Sequence, residues 1–325
     1  MASVALELNG AVVVLTGASS GIGRCAAHGL AREGANLVLA SRSESTLLEA
    51  AGECERLGAE VLPVVTDVRD EARRRGPRLR RDRALRAHRR LGQRRGRHRL
   101  RALRGDAVGG LSRRHRDEPL RDGPRRARRA AALPPPGVGT LINVASVWAR
   151  VPSPAVSPYV TSKFAIRAFS DCLRQKLADS PGIEVATILP QAVDSPIFRQ
   201  AANYVGRQVR PIPPVIDPED VADGIVRCAR SPKREVTYSR AGRLLEALHT
   251  LAPRVWDRVF APGFESASFN GEPSDSGPGN VLRPNPAAER IHGNWKRDHR
   301  GELARALGAT VKASLLGLVR GPGTR

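Results

Sequence analysis

Short, almost unbroken apolar runs alternate along the chain with longer segments whose apolar positions recur at helical spacing. "AVVVL" at 11–15, "ANLVLA" at 35–40 and "AEVLPVV" at 59–65 are the first three runs. A helical pattern runs from a glycine-rich turn at 16–23 to about Glu33, and "ESTLLEAAGECERLG" at 44–58 carries a second. A strand that is apolar on both faces is buried on both, the condition of a parallel sheet covered by helices. The pattern therefore predicts α/β architecture: a parallel sheet covered by helices on both faces. It resumes with a strand at 139–146, a helix at 157–178, a strand at 182–190, a helix at 217–230 opening on Asp-Pro, and a short strand at 234–238. The domain is expected to span 1–260. Beyond it, 261–325 is rich in Gly, Pro, Ser and Asn and reads as a flexible extension, with a last amphipathic helix at 304–321.

Charge changes the picture only locally. The formal net charge is +22 over 325 residues, but residues 71–136 hold 24 Arg, no Lys and six acids, so the rest carries only +4. That block has no Phe, Tyr, Trp, Ile or Asn, and Val108 is its one valine. A run so charged and so poor in branched apolar residues stays disordered, so it is expected to supply no buried strand. Without its fourth strand the sheet would fold poorly and have little activity. A basic run also invites a nucleic-acid reading through phosphate contacts. It lacks the interleaved aromatics that stack bases, and it stands where the middle of a sheet belongs, so no nucleic-acid partner is expected.

The four cysteines (Cys25, Cys54, Cys172, Cys228) show neither CxxC pairing nor metal-ligand spacing, and read as thiols of a reducing compartment. The N-terminus lacks a cationic leader, and no stretch of about 18 apolar residues exists. A cytoplasmic protein with no membrane span and no metal site is the expectation.

The chemistry begins at "TGASSGIG" (16–23), set between a strand and a helix. Gly17, Gly21 and Gly23 allow a tight turn and close approach of backbone to a pyrophosphate, while Ser19, Ser20 and Ile22 offer further backbone at the helix N-terminus. The next strand ends in Ser41 and Arg42, where dinucleotide folds often place an acid for a ribose hydroxyl. A cation there favours a 2′-phosphate, hence NADP(H) over NAD(H). Tyr159 and Lys163 stand at i, i+4 on a helix and share a face. With three Tyr and five Lys in the chain, chance supplies such a pair only about 0.05 times. Ser146 ends a strand 13 residues earlier. A nearby ammonium is expected to lower the tyrosine pKa, so that Tyr159 exchanges a proton with a substrate oxygen held by Ser146.

These stretches, together with "TDV" at 66–68, "NVAS" ending at Ser146, "YVTSK" at 159–163 and "PQAVDSP" at 190–196, resemble the short-chain dehydrogenases/reductases. The resemblance covers about 1–70 and 137–240. It implies α/β architecture with one Rossmann-type, doubly wound parallel sheet of seven strands in a single domain, an NAD(P)(H) cofactor, and interconversion of an alcohol with a ketone or aldehyde. It also implies Asp67 and Val68 beside the adenine, Pro190, Val193 and Ser195 beside the nicotinamide, Tyr159 and Lys163 bordering the cofactor, and a homodimer or homotetramer. Pro190-Gln191 replaces the family's Pro-Gly, and Ser195 its usual Thr. A lid is expected near 196–215. The other readings are an inactive remnant that keeps a cofactor half-site and a basic nucleic-acid-binding protein.

Between 70 and 137 the family places a helix, a fourth strand ending in Asn-Asn-Ala-Gly, and a helix with a further catalytic Asn. Read from the second base of each codon, 84–101 can encode "RFGRIDVWVNAAAVIAFG" and 116–131 can encode "ETNLFGTVHGARAALP". In that frame Asn arises only from a written Gln, Glu or Lys. The block holds three such residues, Glu71, Gln93 and Glu118, and the last two fall where the family has Asn. The expectation is a gene read out of frame from near residue 70 to near 135.

Overall fold

The computed structural model describes residues 7–68, the backbone of 100–104, and 139–295 apart from 181 and 239. Seven parallel strands form the central sheet, in the order β3-β2-β1-β4-β5-β6-β8. They are β1 (Val12–Thr16), β2 (Asn36–Ser41), β3 (Val61–Val65), β4 (Leu100–Arg104), β5 (Gly139–Val144), β6 (Ile183–Leu189) and β8 (Glu235–Thr237). The order reverses between β3-β2-β1 and β4-β5-β6, the doubly wound arrangement predicted. A ligand crevice lies at such a reversal, beyond the carboxyl ends of the strands. A separate pair, β7 (Arg207–Val209) with β9 (Phe269–Pro273), is antiparallel.

The apolar runs become the core as expected. Val13 and Leu15 of β1 and Leu37 and Leu39 of β2 are buried, as are Ile142 of β5 and Ile188 of β6. Each such side chain contributes about 1.5–3 kcal/mol by leaving water. Helices α1 (Gly21–Arg32) and α2 (Glu44–Arg56) follow β1 and β2, α3 (Ser157–Lys176) precedes β6, and α5 (Pro218–Arg230) follows the short α4 (Ile197–Gln200). Helices α1 and α5 meet at Gly29, where a Cβ would stand 2.9 Å from Val226 Cγ2. A side chain there would push the two helices apart. All four cysteines are free thiols, and burial pushes Cys25 and Cys54 up to about 12.

Two expectations are corrected. The arginine-rich block was expected to leave the fourth slot empty, yet Leu100–Arg104 occupies it, with Val12 opposite Leu100 on one side and Arg104 opposite Asn143 on the other. The reason lies in the backbone: β1 and β5 each present a row of amide donors and acceptors to that slot, and an extended segment satisfies both whatever its side chains. The remainder of the block, including Gln93 and Glu118, lies outside the described residues.

Residues 261–295, expected to be flexible, are docked. The boundary near 260 falls within continuous helical structure: Pro253–Val255, a π turn at Trp256–Phe260, and Ala261–Ala267. These follow α6 (Arg240–Leu251). Trp256 is fully buried against His249, Phe260 and Phe264, and Phe269 and Trp295 are buried too. Three large aromatics supply the apolar area that composition alone did not reveal. The helix expected at 304–321 lies outside the described residues.

Candidate active site

The glycine-rich turn leaves β1 and enters α1 as predicted. Gly17 and Gly21 take φ of 73° and 50°, a region that glycine reaches without strain. A Cβ on Gly23 would stand 2.0 Å from the Gly17 carbonyl oxygen, so only glycine lets α1 close on the turn. Ser20 caps α1 in extended conformation without a side-chain cap bond. Ser19 is buried, and Ile22 packs on the main core, leaving its backbone to any ligand.

At the end of β2 the Ser41 hydroxyl turns into its own loop, accepting from Ser43 N (3.1 Å) and donating to Ser43 O (3.4 Å). Arg42 donates to the carbonyls of Asn280 (2.8 Å) and Val281 (3.3 Å), both in the docked extension. Asp67 and Val68 lie half-buried just past β3.

Ser146, Tyr159 and Lys163 come together beyond β5. Ser146 is the N-cap of a single 3-10 turn (Val147–Ala149); its Oγ accepts from Trp148 N (3.2 Å) and donates to the Pro190 carbonyl (3.4 Å). Lys163 is buried, donates to the Val144 carbonyl at 3.1 Å, and holds its Nζ 5.5 Å from the Tyr159 ring centroid. The expected lowering of the tyrosine pKa is not what the structure shows. Desolvation by burial raises it, and the hydrogen bond with Ser146 pulls only partly the other way. The ammonium stands over the ring and is engaged by the Val144 carbonyl.

Val193 and Ser195 lie where "PQAVDSP" leaves β6, both buried, with Val193 bridged to Ile216. Ser195 approaches the turn: a Cβ on Gly21 would meet Ser195 Cβ at 3.4 Å. The residue between them, Asp194, was not singled out in the sequence. It is 5% exposed, and its Oδ1 accepts from Trp295 N (2.8 Å) and Gly293 N (3.1 Å). The one charged residue in the 190–196 turn was the available signal. The expected lid is stapled to the same extension by the β7–β9 pairing and by an Asn203–Gly277 bridge.

Behind Ser146 lies a ring of alternating charge. Arg150 pairs with Glu235 (2.6 Å) and Glu246, and Arg167 pairs with the same two carboxylates at 2.8 and 3.2 Å. The ring joins the Ser146 turn, α3, β8 and α6.

The comparisons agree with this architecture. The profile of the short chain dehydrogenases matches residues 11–75 and 130–204 and leaves 76–129 uncovered. Over these two stretches the chain is similar to the short-chain dehydrogenases, and its curated relatives are described as oxidoreductases. It is 29% identical to the uncharacterized oxidoreductase YxnA of Bacillus subtilis over 268 residues, 78% of this chain and 72% of the relative. It is 32% identical to the probable oxidoreductase EphD of Mycobacterium tuberculosis over 210 residues, 57% of this chain but only 31% of EphD. The fold is shared with a short chain dehydrogenase from Mycobacterium paratuberculosis bound to NAD (TM-score 0.51, 22% identity, 71% of this chain and 97% of that one). L-sorbose reductase from Gluconobacter frateurii, complexed with NADPH and L-sorbose, is similar to the same degree (TM-score 0.51, 24% identity, 72% and 97%). Among the described residues no helix is long and apolar enough to cross a membrane.

Proposed function

We propose that the protein moves a hydride between a nicotinamide cofactor, NADP(H) in preference to NAD(H), and an alcohol or a ketone or aldehyde of small size. The observation that carries this is the convergence of Ser146, Tyr159 and Lys163 beside the β6 exit, on the side of the sheet where the glycine turn opens. The turn fits a dinucleotide: Gly17 and Gly21 are left-handed, Gly23 has no room for a side chain, and the α1 N-terminus carries the positive end of the helix dipole. Arg42 supports a 2′-phosphate, and solved relatives carry NAD or NADPH. The cofactor, when bound, supplies or accepts the hydride.

The residues do the rest. The Ser146 hydroxyl orients the substrate oxygen, and the Tyr159 phenol gives that oxygen a proton in reduction or takes one in oxidation. At neutral pH the phenol holds its proton and can give it to the carbonyl oxygen that Ser146 orients. Lys163 faces the ring and steadies the phenolate that remains. A cofactor-binding chain without turnover is the second reading, favoured by the uncovered stretch at 76–129.

Tyr159→Phe separates the two. Steady-state reduction of a panel of small ketones and aldehydes with NADPH should fall at least roughly a hundredfold, with nucleotide affinity unchanged. Equal turnover in the variant, or none in the native chain, would count against the acid/base assignment.

A further inference from the structure

Residues 277–295 form a strap across the glycine-rich turn, and its backbone carbonyls stand on the donors that a dinucleotide would use. The Gly21 amide, first of α1, donates to the Arg290 carbonyl at 2.9 Å. The Arg42 guanidinium donates to the carbonyls of Asn280 and Val281. Glu289 reaches Thr46 in the first turn of α2. At Trp295 the indole donates to the Ser195 carbonyl at 3.1 Å. It therefore touches the pyrophosphate turn, the 2′-phosphate residue and the nicotinamide end of the β6 exit in one pass.

Its anchors are stronger than a loose tail needs. Asp194, nearly without solvent exposure, spends one carboxylate oxygen on two strap amides. Trp295 lies between the Arg199 guanidinium (4.3 Å) and the Phe198 ring (5.8 Å). Gly279 and Gly293 approach so closely that a Cβ would stand 2.2 Å from the Gln200 oxygen and 2.4 Å from the Ser195 oxygen.

We propose that this strap is autoinhibitory: it occupies the dinucleotide site in the closed chain, and cofactor binds only as the strap lifts from Gly21 and Arg42. This rests on the nucleotide reading of the previous subsection. A cover laid over bound cofactor would leave those donors facing the cleft. Here a 2.9 Å hydrogen bond fills the Gly21 amide, so a phosphate oxygen and the Arg290 carbonyl exclude each other. The exchange is feasible because a phosphate forms charge-assisted bonds roughly twice as strong as those to a neutral carbonyl. By linkage, a change that loosens a mostly closed strap without touching the nucleotide's own donors tightens nucleotide binding by up to the same factor.

The test uses the full chain and NADP+ as probe, in three forms. Trp295→Ala removes an anchor outside the donor set. Gln200→Cys with Asn280→Cys, in a Cys172→Ser background, can lock the strap by oxidation. Gln200 and Asn280 are joined by one backbone and one side-chain hydrogen bond of 2.8 Å each, which puts a disulfide within reach. Calorimetry should give roughly tenfold tighter NADP+ binding for Trp295→Ala, the release of a site mostly closed. The oxidised lock should bind at least tenfold more weakly than its reduced form, and NADP+ should speed amide exchange in peptides covering 277–295 of the native chain.

Slower exchange on binding, or equal affinity of locked and reduced chains, overturns the autoinhibition and leaves the nucleotide site standing. If neither NADP+ nor NAD+ binds any form, including a Trp295→Ala chain whose strap exchanges fast, the nucleotide reading itself falls, and the inhibition with it.

Discussion

The two halves of the crevice are held together by different means. On the catalytic half, polar groups find partners in the elements that carry them: Lys163 on the Val144 carbonyl, Ser146 on Pro190 and on the next turn. On the nucleotide half, the Gly21 amide and Arg42 find theirs in a segment more than 200 residues further along the chain. The first arrangement is set once the sheet forms. The second depends on a strap whose docking is an equilibrium of its own. On the proposed reading, the chemistry is preorganised whereas access to it is conditional.

Substitutions on each side should separate these behaviours. The largest effect is expected from Lys163→Met, which leaves the Tyr159 ring without its cation: kcat should fall roughly a hundredfold, and amide exchange of the strap should stay native. A native kcat would show that Lys163 only props the Val144 carbonyl.

Arg42→Ala should act on the other half and in two directions. NADPH loses a charged partner, so its KM should rise roughly tenfold, while the strap loses two hydrogen bonds and NADH should bind no worse or slightly better. Equal losses for both cofactors would mean that Arg42 reads no 2′-phosphate.

The smallest effect concerns the flank of the nucleotide half, where Arg24 of α1 holds Glu53 of α2 at 2.7 Å. The hydrogen bond from Arg24, with help from His28, keeps the Glu53 carboxyl down at about 2, from an ordinary 4.5. A lowered carboxylate contributes stability that is full above pH 4.5 and is lost as pH falls towards 2. Glu53→Gln should therefore flatten the acid limb of Tm against pH, and lower Tm at pH 7 by about 2 °C or less, since the pair is partly solvated. An unchanged acid limb would show that the pair contributes nothing.

Apolar periodicity made the sheet legible because β1, β2, β5 and β6 are buried on both faces and must be written in Val, Leu, Ile and Ala. Tyr159 and Lys163 stood out because two rare residue types stand at helical spacing, and Ser146 because it ends a strand 13 residues earlier. The fourth strand was not, because its place is secured by backbone ladders on both sides, a bond type that side chains do not announce. The strap escaped notice for a similar reason. Its contacts are mostly carbonyls, two close-approaching glycines and one tryptophan, in a stretch whose Gly, Pro, Ser and Asn read as a tail. Asp194 was passed over because its role depends on amides about a hundred positions away. The direction of the Tyr159 shift also required the structure, since sequence spacing shows a nearby cation but not how deeply the phenol is desolvated.

The four-membered charge ring behind Ser146 has a consequence for how this chain can vary. Arg150, Arg167, Glu235 and Glu246 are each tied to two opposite charges, so losing any one leaves a surplus charge in half-buried surroundings. Neutral drift can therefore alter these four positions only in compensated pairs. Helix α3 and strand β8 are in this sense inherited as a unit.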